Sequence, residues 1–194
     1  MKPMVVVLYE DSRVSGADFG PHQLVVDLVA DLLEEDTWKV APLIDARTTN
    51  SNGNLIKMAR DLETVAPGGQ TVIAVPDEDK IRTALSLDKG ACRRQVIEAL
   101  TKGCDVPERL TIVLLERNVE SIITALEPEA RQLGLEQALF DDAIAKVRVA
   151  RDRIFERASK PGYRQTRGNL LEALPCLGRL RDRILTALKD DRAT

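Results

Sequence analysis

Val72-Ile73-Ala74-Val75-Pro76-Asp77-Glu78-Asp79 decides how this chain is read. Four apolar residues, entered from Pro67-Gly68-Gly69, have the length and composition of a strand buried on both faces. The run then ends at once in three carboxylates, followed by Lys80. Side chains two apart on a strand share a face, so strand geometry carried through this end projects Asp77 and Asp79 together and Glu78 away. Two neighbouring carboxylates repel unless a proton or a cation lies between them. A hard divalent ion such as Mg²⁺ takes oxygen ligands and often needs only one or two protein carboxylates.

Working outward, residues 4–9 (Met-Val-Val-Val-Leu-Tyr) form a first strand that runs into Glu10-Asp11-Ser12. Pro21 opens a helix over residues 22–35, with Leu24, Val25, Leu28, Val29, Leu32 and Leu33 at helical spacing. Residues 38–44 read as a second strand, placed at an edge or ended early by Pro42, and 45–54 as a polar loop. A helix over 55–65 leads to the 71–75 strand. Beyond a segment carrying Lys80, Arg82 and Lys89, a helix near 91–102 is ended by Gly103, and 110–115 (Leu-Thr-Ile-Val-Leu-Leu) is a fourth strand. That strand finishes in Glu116-Arg117-Asn118 and enters a helix containing Glu120. Alternating strands and helices predict an α/β fold with a mostly parallel four-stranded sheet flanked by helices. Ligands of such sheets bind at the carboxyl ends of the strands, where Glu10, Asp77, Asp79 and Glu116 all fall.

The remainder reads as helical: 135–158 up to the break at Pro161-Gly162, then 169–174 and 177–188 on either side of Pro175. Leu177, Leu180, Ile184, Leu185 and Leu188 make an apolar stripe opposite Arg179, Arg181 and Arg183, the pattern of a helix packed on the sheet. The expected organisation is an α/β domain over 1–126 and a helical C-terminal extension over 127–194, packed on the same domain.

Composition narrows the function classes. No apolar run approaches the ~20 residues of a membrane span, and the short apolar start is followed at once by acids, unlike a signal peptide. Cys92, Cys104 and Cys176 are too few and too scattered for a disulfide framework or a zinc site, and a single histidine, His22, excludes a histidine-rich centre. The expectation is a soluble, cytoplasmic protein whose metal, if it holds one, is bound by oxygen. The net charge of −3 hides an asymmetry. Residues 146–192 carry thirteen basic and six acidic side chains, +7, while 1–145 carry fifteen and twenty-five, −10. An acidic body beside a basic segment suits a metal site next to a phosphate-binding surface. Arg82, Arg151, Arg164 and Arg167 are the candidate nucleic-acid contacts. Aromatic residues at 3% of the chain argue against recognition by base stacking.

Glu10 after the first strand, Asp77-x-Asp79 after the third, and Glu116 or Glu120 about the end of the fourth resemble the TOPRIM fold. That fold occurs in topoisomerases, primases and overcoming-lysogenisation-defect-type nucleases. More narrowly, the chain is similar to the small standalone TOPRIM-like proteins encoded beside ATPases in bacterial anti-phage systems. In those, an acid precedes an apolar pair after the last strand, as in Glu120-Ser121-Ile122-Ile123. The resemblance spans about residues 4–126. It departs from the pattern after Glu10, where Asp11-Ser12-Arg13 stands in place of an early glycine.

The resemblance implies a metal-dependent nuclease. Glu10, Asp77 and Asp79 would hold one Mg²⁺ or Mn²⁺, with Glu116 or Glu120 supporting a second. Lys80 or Arg82 would offset charge on the reacting phosphate, making Glu10, Asp77, Asp79 and Lys80 the catalytic set. The implied partners are DNA or RNA, an ATPase partner protein and a second copy of the chain. With no Gly-x-x-x-x-Gly-Lys run, ATP hydrolysis would belong to another chain. Two other readings stand beside this one. One is a non-catalytic TOPRIM-like subunit that binds nucleic acid or a partner. The other is a receiver-like signalling domain, ranked last because a receiver puts its acidic pair after strand one and a single aspartate after strand three.

Overall fold

The computed structural model describes residues 2–10, 21–115, 167–168, 171–172 and 174–192. Four parallel strands, β1 (Val5–Tyr9), β2 (Ile44–Thr48), β3 (Thr71–Val75) and β4 (Leu110–Ile112), form one sheet in the order β2-β1-β3-β4. The described helices are α1 (Pro21–Leu33), α2 (Thr37–Val40), α3 (Asn52–Arg60), α4 (Leu62–Val65), α5 (Glu78–Ala84), α6 (Arg93–Thr101) and α7 (Pro175–Arg192). The fold is α/β, as the alternation of strands and helices predicts, and the described sheet is wholly parallel.

β1 is buried on both faces, so its two sets of side chains sort the core. Val5, Val7 and Tyr9, with Ile73 and Val75 of β3, face Leu24, Val25, Leu28 and Val29 of α1 and Leu177, Leu180, Ile184 and Leu188 of α7. On the opposite face, Val6, Leu8 and Val72 meet Leu62, Val65 and Ala66. Ala74 and Leu114 there pack with Leu55, Ala59, Ile81, Val96 and Leu100. Each fully buried aliphatic side chain contributes roughly 1.5–3 kcal/mol, so this two-sided packing dominates the fold's stability. The arginine-flanked stripe of α7 therefore packs on α1 and the sheet, as its spacing predicts.

Three segments differ from the sequence expectations. Residues 37–43 form α2 and a 3-10 turn (Ala41–Leu43) in place of a second strand. Pro42 fixes a helical φ and supplies no ladder donor, Val40 and Leu43 are buried three apart, and Trp38 is 71% exposed. The strand runs instead from Ile44, the last residue of the expected one, through Asp45-Ala46-Arg47-Thr48 of the expected loop, at a sheet edge where charged side chains are tolerated. Its Asp45 and Arg47 pair at 2.7 Å.

The expected 55–65 helix is two helices. Ser51 caps α3 earlier, its hydroxyl accepting from Asn54 N–H at 3.2 Å. Asp61 leaves helical geometry (φ −119°, ψ 62°) and caps α4. The distant Asp105 carboxylate accepts from Leu62 and Glu63 N–H, both at 3.0 Å, and these bonds lower its pKa. Gly103, at φ +84°, ends the α6 segment as expected.

The third difference lies at the acidic stretch. Glu78-Asp79 open α5 rather than continuing the strand geometry, because carboxylates favour the positive end of a helix. Beyond β4 the chain still follows β3. Leu115 N–H donates to Pro76 O at 3.0 Å, and Glu78 N–H donates to Leu115 O at 2.9 Å.

Candidate functional site

Tyr9 and Val75 are aligned on the adjacent strands β1 and β3, so Glu10 and Asp77 leave the sheet side by side at its carboxyl edge. The strand order reverses here: from β1 the chain goes to β2 on one side, then returns past β1 to β3 on the other. Such a switch point opens a crevice outside the strand ends. Lys80, one turn into α5, reaches back across it. Its Nζ lies 2.9 Å from Asp77 Oδ2 and 3.7 Å from Glu10 Oε1. Both carboxylates are mostly buried, whereas the Lys80 side chain is 60% exposed. Glu10 Oε2 is buried with no hydrogen-bond partner.

Asp77 and Asp79 do not project together. Strand geometry stops at Val75, Asp77 becomes the N-cap of α5, and each later residue turns by about 100° around the helix. The Asp79 side chain is 95% exposed and meets only the fringe of Arg82, at 3.7 Å. Glu78, expected to project away, is the buried member of the trio. It accepts from Arg82 Nη2 and from Arg93 Nε and Nη2, the latter two at 3.1 Å. Arg82 also donates through Nε to Ala91 O at 3.1 Å. Its guanidinium is thus committed inside the protein, which corrects the expectation of a nucleic-acid contact.

Arg167 is corrected likewise. It is 4% exposed and grips Asp31 of α1 with two bonds, 2.6 and 2.8 Å. A buried, neutralised guanidinium offers nothing to a phosphate backbone. Glu116, Glu120, Arg151 and Arg164 lie outside the described residues, as does Ser12.

Beneath Glu10, Tyr9 packs edge-on against His22, with ring centroids 5.7 Å apart and the phenol oxygen 3.5 Å from Nδ1. Burial pushes the Tyr9 phenol well above its ordinary pKa. It pushes the His22 imidazole down to about 4, against the smaller opposing pull of Asp45. His22, partly buried, is therefore neutral near pH 7.

The sequence reading missed Glu78 and Arg93, and also the loop after β2. Glu78 and Arg82 stand at the i, i+4 spacing of a helical ion pair, a signal available once residues 78–84 are read as helix. Arg93 joins across fifteen residues and has no local signature.

Among the described residues, no three Asp, Glu, His or Cys side chains gather closely enough to hold a metal ion by themselves. Glu10 and Asp77 still fit an ion that takes one or two carboxylates and completes its shell with water and substrate oxygens. The unpartnered Glu10 Oε2 is an acceptor such an ion would satisfy. No family model, curated protein or solved structure matches this chain at a significant level. Among the described residues, no helix is long and apolar enough to cross a membrane.

Proposed function

We propose that the chain is a Mg²⁺- or Mn²⁺-dependent phosphodiester hydrolase acting on DNA or RNA. The observation carrying this reading is the Glu10–Lys80–Asp77 group at the switch point: two neighbouring carboxylates with a cationic head already between them. Glu10 and Asp77 would hold the ion. When bound, it supplies Lewis acidity that activates water and stabilises the leaving oxygen. Lys80, 60% exposed, would turn from the carboxylates to meet the charge that develops on the phosphate. Water adds to phosphorus, the bridging P–O bond breaks, and the departing oxygen leaves with a proton. Asp79 takes no part, since it faces solvent away from the pair. An ATPase partner and a role in anti-phage defence belong to the same proposal and draw their support from the resemblance.

Calorimetric titration with Mn²⁺ and Mg²⁺ tests the site before any substrate is known. Wild type binds, Glu10→Ala and Asp77→Ala do not, and Asp79→Ala binds as wild type does. Absence of binding by the wild type would sink autonomous metal catalysis and favour a non-catalytic binding subunit.

One observation favours a second reading. With Asp79 turned outward, a single edge-facing aspartate, Asp77, follows β3, and the sequence carries the pair Glu10-Asp11 after β1, in the strand order 2-1-3-4 that begins flavodoxin-like folds. A receiver-like domain would use Asp77 to accept a phosphoryl group. Stable labelling of Asp77 by a small acyl phosphate, with no phosphodiester cleavage, would establish that reading in place of the first.

A further inference from the structure

Asp77 stands where an aspartate ordinarily caps its own helix, and it does not cap. It is the N-cap of α5, with extended backbone (φ −66°, ψ 124°), yet its carboxylate accepts from no N–H of the first turn. Aspartate is among the preferred N-caps because its carboxylate can reach the N–H two or three residues on. Here Oδ2 lies 2.9 Å from Lys80 Nζ, which is itself 3.7 Å from Glu10 Oε1. The start of α5 is held by other bonds.

Glu78 supplies them. Its N–H donates to Leu115 O at 2.9 Å, tying the residue after Asp77 to the chain beyond β4. Its carboxylate, 11% exposed, is met by Arg82 one turn on and by Arg93, the first residue of α6, whose Nε and Nη2 both lie 3.1 Å from Oε2. Arg82 crosses the same gap in the other direction, donating through Nε to Ala91 O at 3.1 Å. The first turn of α5 is therefore cross-tied to the start of α6 on one side and to the end of β4 on the other.

A buried ion group is a poor device for stability alone. Desolvating a carboxylate and two guanidinium groups offsets most of their attraction, and apolar side chains of similar volume serve a core as well or better. Such a group also provides direction, because a carboxylate and the planar fork of an arginine bond at defined angles. Glu78 lies between Asp77 and Lys80 in the chain, so a direction imposed on it passes to both.

We propose that Glu78 is a positioning residue for the Glu10–Asp77 site. Anchored by Arg82 and Arg93, it holds the start of α5 so that Asp77 keeps its carboxylate off its own helix and turned toward Lys80 and Glu10. The assignment rests on the metal-binding reading above and deepens it by naming what orients the second carboxylate. Once the anchor is cut, the first turn relaxes and Asp77 becomes an ordinary cap, accepting from the N–H of Asp79 or Lys80.

The test uses the ¹⁵N-labelled full chain and Arg93→Gln, which cuts the tie to α6 while Arg82 still pairs with Glu78. Amide shifts and hydrogen exchange of Asp79 and Lys80 are followed in EDTA, and Mn²⁺ affinity is measured separately by calorimetry. The expected result is a downfield shift and slower exchange at one of the two amides, with Mn²⁺ affinity lowered about tenfold, as for other residues that orient a metal ligand. Adding Asp77→Ala removes the amide signature. Arg94→Gln, which takes the same charge from an 83% exposed neighbour, changes neither quantity. A merely structural role would loosen α5 and speed exchange at these amides. Unchanged or faster exchange in Arg93→Gln therefore overturns the assignment. So does a signature that survives Asp77→Ala, an equal effect of Arg94→Gln, or an unchanged Mn²⁺ affinity where the wild type binds. A wild type that binds no Mn²⁺ sinks the catalytic reading alone; slower exchange in Arg93→Gln would still support Glu78 as the anchor that keeps Asp77 from capping.

Discussion

Asp77 and Glu78 are chemically alike and adjacent in sequence, yet they enter opposite kinds of ion-pair group. Asp77 joins Glu10 and Lys80 at the sheet's carboxyl edge, where two carboxylates share one exposed ammonium and Glu10 Oε2 has no partner. Glu78 turns inward and is saturated by two arginines from α5 and α6. The first group has acceptor capacity to spare and a solvent-exposed cation. The second has neither. Charge count alone would treat them as one acidic cluster; the difference is whether the geometry leaves chemistry undone.

Removing the inner carboxylate strands two guanidinium groups, one of them largely buried. Glu78→Ala should therefore destabilise the protein by about 3–4 kcal/mol, the range for breaking a buried pair from one side. Asp77→Ala should cost less than about 1 kcal/mol, because its partner Lys80 is exposed and rehydrates. Urea denaturation of both variants measures the contrast. Equal losses would mean that the two groups do the same structural job.

Acid should act on the floor of the open group. The fold holds His22 neutral against Tyr9, with Asp45 the charged group that opposes the shift. Since its folded pKa is about 4 against 6.5 in the unfolded chain, the unfolded state binds the proton more readily between those values. The stabilisation is complete above about pH 6.5 and is lost as pH falls toward 4, by about 3 kcal/mol in all. Denaturation midpoints between pH 7 and 4 should fall for wild type and fall less for His22→Gln. A parallel decline in both would assign the acid sensitivity to other groups.

Much of this architecture was legible because it rests on burial. The apolar runs of β1 and β3, the helical periodicity of α1 and the stripe on α7 each encode their face of the core directly. β2 was misplaced because an edge strand can carry Asp45 and Arg47, which erases the apolar signal, while buried Val40 and Leu43 imitated it. The site was half legible. Strand ends located Glu10 and Asp77, but assuming that strand geometry outlasts Pro76 gave the wrong partner, and the helix start at Glu78 turned Asp79 to solvent. Arg167 was misread because its charge is visible in sequence and its companion Asp31, 136 residues away, is not.

Arg167 extends the inner class of ion pair to the far face of the sheet. Arg167→Ala should cost about 2–3 kcal/mol, discounted because Asp31 is a quarter exposed and regains water. Its effect on nucleic-acid binding should go no further than this loss of folding. Filter binding at a temperature where the variant remains folded separates the two.

Lys80 gives the smallest stability effect and the sharpest division between the groups. Its ammonium is exposed, so Lys80→Ala should change stability by less than about 0.5 kcal/mol. The same substitution leaves Glu10 and Asp77 facing each other without their cation, which should tighten Mn²⁺ binding several-fold while reducing any phosphodiester cleavage. Opposite signs for binding and turnover fit a lysine that guards the carboxylates at rest and serves the phosphate during reaction. If Mn²⁺ affinity instead falls with Lys80→Ala, the ammonium is organising the pair rather than competing for it. The carboxylates would then depend on Lys80 for their arrangement, as Arg82 and Arg93 depend on Glu78, and the contrast between the two groups would narrow to exposure alone.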